Sequence, residues 1–78
     1  MKLNNTIINE LKNKLFTLEL SSGTILNNVS FEFPIIETDE TLILKMNNST
    51  HIINLNHIIR ITSTVETYYV PQKLLTNL

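Results

Sequence analysis

Cysteine is absent from the 78 residues. That removes disulfides, thiolate zinc sites and cysteine nucleophiles at one stroke. Glycine occurs once, at Gly23, so no Gly-rich phosphate cradle can form. Alanine and tryptophan are missing, arginine is present only as Arg60, and the two prolines are Pro34 and Pro71. No serine stands in a nucleophile-elbow pattern. These gaps argue against catalysis and predict a protein that is not an enzyme and has no cofactor. No sign of charge dominates either: six basic residues face seven acidic ones, for a net charge of −1. Phosphate backbones are captured by clustered Lys and Arg, so strong electrostatic binding of nucleic acid is not expected. No apolar run approaches the ~20 residues that span a bilayer. The N-terminus lacks a basic start followed by an apolar signal core. The expected setting is the cytoplasm, with which the lack of cysteine is compatible.

What is present is apolar and asparagine-rich. The apolar fraction is 42%, which suits a folded globular chain. Asn and Ile occur eleven times each, a bias that A/T-rich coding DNA produces and that carries no functional information. A chain this short is one domain. It buries only ~60% of its unfolded surface or a little more. With no disulfide to help, tight closure or oligomerisation is the expected way to enlarge the core.

Residues 1–14 read as a helical segment. Leu3, Ile7, Ile8, Leu11 and Leu15 fall on one face at a period of 3.6. Asn4 or Asn5 can cap its start, and Glu10 and Lys14 form a favourable i, i+4 pair. From 15 to 62 the pattern changes to short strands. Phe16, Leu18 and Leu20 alternate inward, and Ser21-Ser22-Gly23 makes a hairpin turn. Asn27-Asn28 predicts a bulge or sharp bend, after which Val29, Phe31, Phe33 and Ile35 alternate inward. Pro34 has no N–H for a ladder, so pairing is expected to lapse there. Glu37 to Thr41 is a polar loop. Leu42–Met46, Thr50–Leu55 and Ile58–Ile61 complete five strands, with Asn47-Asn48-Ser49 as a turn. Residues 63–78 form a tail whose Tyr68 and Tyr69 either anchor it to the domain, stack bases or dock a partner. The expected architecture is mainly β: an N-terminal helix, then a five-stranded, strongly bent antiparallel small barrel of Sm-like or SH3-like type.

Leu18, Leu20, Gly23, Leu26 and Phe33, followed by Leu55-Asn56-His57-Ile58-Ile59, carry a resemblance to the Sm-like family, and to its bacterial Hfq branch in particular. The resemblance runs from the N-terminal helix to about Thr62. The chain departs from the pattern at three places. Asn28 stands where a second glycine is usual, Pro34 where an aspartate is, and Asn56 where Hfq has lysine. The resemblance implies a ring, hexameric or heptameric, in which the fourth strand of one copy pairs with the fifth of the next. It also implies that single-stranded RNA is held near the pore rim. The alternative is a scaffold of the same fold that binds protein partners and not RNA, which the scarcity of positive charge favours.

The residues expected to meet RNA are Asn54, Asn56 and His57. An amide offers donors and an acceptor to a base edge, and a histidine can reach a base or a ribose hydroxyl. The plainer alternative is that all three are turn and strand-end residues bonded to their own backbone. Phe31 and Phe33 read as core rather than as a stacking platform. Glu37, Asp39 and Glu40 lack a cation-loop spacing, and His51 with His57 lacks a third ligand, so no metal site is expected.

Overall fold

The computed structural model describes residues 3–64 and 66–70. The chain begins with α1 (Asn5–Leu11), and Asn4 caps it by accepting the Ile7 N–H on its side chain at 2.9 Å. A second, distant cap joins it: the Glu37 carboxylate accepts the Asn5 N–H at 2.9 Å. Each satisfies a donor that a helix start leaves orphaned. The helix stops where Lys12 turns extended and Asn13 takes φ 61°, with Lys14 N–H reaching Leu11 O at 3.2 Å. This is a type II turn with asparagine in its left-handed position. The Glu10–Lys14 pair forms at 3.4 Å.

Six strands follow: β1 (Phe16–Leu20), β2 (Ile25–Phe31), β3 (Thr41–Met46), β4 (Ser49–Asn54), β5 (Ile58–Thr62) and β6 (Thr67–Tyr69). They form one antiparallel sheet in the order β4-β3-β2-β1-β5-β6. The hairpin from β1 to β2 turns through Gly23 at φ 92°. Gly23 N–H bonds Leu20 O at 2.9 Å and Leu20 N–H bonds Thr24 O at 2.8 Å. The expected bulge is present: Phe16 faces Val29 but Leu18 faces Leu26, which inserts one extra residue at Asn27-Asn28, and Asn28 takes φ 56°. A second irregularity lies on the other side of β1, where Glu19 faces Arg60 but Leu20 faces Ile58. Bulges on both flanks of β1 bend the sheet around its inner face.

That face carries the core. Leu18, Val29, Leu44, Leu55, Ile58 and Ile61 are fully enclosed, and Leu3, Ile8 and Leu11 close over them from the helical end. Phe16 and Phe31 meet edge to face, with centroids 5.2 Å apart and planes at 61°. On β3, Leu42 and Leu44 point in while Thr41, Ile43 and Lys45 point out.

Two expectations are corrected. Among the described residues the strands number six, not five, and the sheet stays open with β4 and β6 at its ends rather than closing into a barrel. The extra strand comes from the tail. Ser63 N–H bonds Glu66 O at 2.8 Å, and the Glu66 N–H bonds the Ser63 hydroxyl oxygen at 3.0 Å. The chain thereby reverses and lays Tyr68 opposite Ile61. The Tyr-Tyr-Val run is strand-prone, and β6 takes the outer edge of β5. The second correction concerns Phe33, which is 58% exposed rather than core. The strand ladder ends with Glu32 N–H bonding Ile43 O at 2.9 Å, because Pro34 has no N–H to continue it. The tail from Gln72 to Leu78 lies outside the described residues. Among the described residues no helix is long and apolar enough to cross a membrane.

Candidate functional site

Asn54, Asn56 and His57 are brought together in one turn between β4 and β5. Leu55–His57 form a single 3-10 turn, η1, with Leu55 fully buried as its anchor. Besides its own Ile58 N–H to Leu55 O bond, further hydrogen bonds hold it. Asn54 accepts the Asn56 N–H on its side-chain oxygen at 2.8 Å, Leu55 N–H bonds Glu40 O at 2.8 Å, and Ser21 N–H bonds His57 O at 2.7 Å. The last two tie the turn to the end of the β2–β3 connection and to the β1–β2 hairpin. The side chains of Asn56 and His57 stay exposed on this held backbone. Asn54 is also exposed, but its acceptor oxygen is used inside the turn. One of the three expected contacts therefore has a structural task of its own.

The charge around this turn is not basic. Glu40 contributes its carbonyl to the turn and stands beside Asp39 and Glu37. Two of these carboxylates accept backbone N–H groups: Glu37 from Asn5, and Asp39 from Ile36 at 3.0 Å. The acidic loop thus staples the connection onto α1 and onto itself. Among the described residues no group of three His, Cys, Asp or Glu side chains could hold a metal ion. His51 and His57 are held apart in role: His51 faces inward on β4 opposite Leu44, whereas His57 sits exposed on η1. Two of the four described cations are also engaged. Arg60 pairs with Glu19 across β5 and β1 at 2.6 Å, and Lys14 pairs with Glu10.

Apolar exposure lies elsewhere. A groove of about 590 Å³ runs between α1 and the segment that leaves β2. Ile8 and Phe31 are on its walls, and Leu15 (57% exposed), Phe33 and Pro34 on its lip, with Lys12 at the rim. A hollow of about 160 Å³ opens on the other side of Phe33 and Pro34. Sequence alternation hid this site by counting Phe33 as core. The signal that marks it is Pro34, which frees the chain from the sheet and turns the neighbouring phenyl ring outward.

The tail tyrosines divide their labour. Tyr68 packs against the core, while Tyr69 is 74% exposed. Partial burial, followed by the negative charges of Glu66 and Glu10, raises the Tyr68 phenol above its ordinary pKa of 10.0. Comparison of the chain with protein-family models, with curated proteins and with solved structures finds no match to any of them.

Proposed function

We propose that the chain is a non-catalytic, Sm-like adaptor that binds a protein partner and not RNA. The observation that carries this reading is the groove beside α1, part polar and part apolar, on which Leu15 and Phe33 stand exposed. Exposed apolar side chains gathered at a concave surface mark interaction sites more often than scattered ones do. The occupant that fits is a short segment of another protein with apolar side chains to cover Leu15 and Phe33. The Sm-like part of the reading is supported by the element order. A helix precedes the strands, the first four strands form a meander, and β5 folds back onto β1 after a one-turn helix. The binding part is supported by charge: the net charge is −1, and Arg60 and Lys14 are committed to Glu19 and Glu10.

A second reading, a ring that binds single-stranded RNA in the cytoplasm, is favoured by one feature. Asn56 and His57 are both exposed on a turn fixed by its hydrogen bonds, as a base-reading tip would require. A ring joint between β4 and the β5 of another copy would need β6 to leave the β5 edge that it occupies.

The groove is tested with an anionic naphthalene dye that fluoresces in apolar surroundings. Fluorescence should rise with the wild-type chain and fall several-fold with Phe33→Asp, a surface change that leaves the circular dichroism spectrum unaltered. No rise with the wild type, or equal signals from both proteins, would remove the groove as a binding site.

A further inference from the structure

We infer that the open edge of β4 joins two copies of this chain as an antiparallel two-fold dimer centred on Ile52. The inference concerns a different surface from the groove and stands apart from the adaptor reading.

The backbone alternation of β4 can be read from its neighbours. Ile43 O accepts the Glu32 N–H of β2 at 2.9 Å, so the backbone groups of Ile43 turn toward β2. Ile43 faces Ile52 in the β3–β4 register. That pair is therefore a non-hydrogen-bonded one, and the N–H and C=O of Ile52 point away from β3. The bond from Leu55 N–H to Glu40 O at 2.8 Å sets the same alternation further along. Thr50, two residues before Ile52, likewise directs its N–H and C=O outward. Among the described residues no strand lies beyond β4.

This edge is built without the usual guards. Edge strands are commonly blunted by lysine, proline or a bulge. Ser49-Thr50-His51-Ile52-Ile53-Asn54 has no charged residue and no proline, and its register with β3 is unbroken over all six residues. Ile52 is 70% exposed, and Ile43 beside it on the outer face is also exposed.

The edge matches itself. A two-fold axis perpendicular to a sheet keeps its faces aligned, so the axis must pass opposite a single residue. Placed at Ile52, it sets Ile52 against Ile52 of the second copy as a pair exchanging both backbone bonds. Thr50 then faces Asn54 of the second copy, again between outward-directed groups. On the outer face the joint forms an unbroken row: Ile43, Ile52, then Ile52 and Ile43 of the second copy. The next row runs Lys45, Thr50, then Asn54 and Thr41 of the second copy, so no charge meets a like charge. The opposite end of the sheet offers less, since β6 has only three residues. A second copy of this chain is thus the occupant whose register, faces and charge all fit β4.

The cysteine-free chain permits a direct test. Hydrogen-bonded antiparallel partners lie about 5.5 Å apart between Cα atoms, inside the ~4.4–6.8 Å window for a disulfide. Ile52→Cys should cross-link to a covalent dimer under mild oxidation. Thr50→Cys is the control: its two copies would sit four residues apart along the joint, roughly 13 Å, and should stay mostly uncross-linked. Light scattering of the wild type should show a dimer at high micromolar concentration, and Ile52→Lys a folded monomer. A wild-type monomer or a larger ring overturns the inference, as does equal cross-linking of the two cysteine variants.

Discussion

At the scale of single residues, the turns are governed by φ. Gly23, Asn13, Asn28 and Asn47 all take positive φ, and each sits where the chain must change direction. For Gly23 the reason is conformational and not steric, because a Cβ there would meet nothing within 4 Å. Gly23→Ala should therefore cost about 1–2 kcal/mol, the left-handed penalty of an ordinary residue, and Gly23→Asn distinctly less. Denaturant midpoints of the two variants check this, and an alanine variant as stable as wild type would refute it. Gly23, Asn28 and Asn47 were legible in the sequence because the chemistry is local, whereas Asn13 lies in the stretch that was expected to be helical and instead follows the end of α1 at Leu11. Glycine and asparagine announce left-handed backbone wherever they interrupt an apolar alternation. The Asn4 cap and the Glu10–Lys14 pair were legible for the same reason. His51 was not. Its Nε2 is buried without a hydrogen-bond partner among the described residues, and only the register of β4 against Leu44 shows that it points inward.

At the scale of elements, what escaped the sequence was non-local. β6 exists because the tail folds back on β5, and three residues carry too little periodicity to announce a strand. Phe33 escaped because alternation was extended past Phe31, although Pro34 had already ended the ladder. Of the expected binding turn, the sequence placed Asn54, Asn56 and His57 between the right strands. It could not tell that the Asn54 side chain would serve as the cap. The docking of β6 carries its own pH dependence. Partial burial and the carboxylates of Glu66 and Glu10 raise the Tyr68 pKa above the unfolded value of 10.0. The protonated phenol is thus favoured in the folded chain. The resulting stability is fully present below pH 10.0 and is lost as pH rises through the higher folded value. Tyr68→Phe should therefore lose less stability than wild type between neutral pH and a pH above 10.0. Urea melts at the two pH values measure the difference, and parallel losses in both proteins would rule out the Tyr68 contribution.

At the scale of the whole molecule, a small inner core is enclosed by α1 on one side and by two bulge-bent flanks of β1 on the other. Among the described residues, the groove beside α1 and the open edge of β4 are two surfaces left uncovered. On the readings proposed above, the first takes a segment of a protein partner and the second a copy of the chain. Neither suits a polyanion, since the net charge is −1 and two of the four described basic side chains are in ion pairs. The turn at Asn56 and His57 remains the place where RNA would bind if charge did not decide the matter. Titration of labelled oligo-U and oligo-A, followed by fluorescence anisotropy at low salt, puts that choice to the test. The groove and its charge balance predict no saturable binding of either strand, even at low salt. Saturable binding that weakens with salt and is lost in His57→Ala would contradict the adaptor reading and establish the turn as an RNA site.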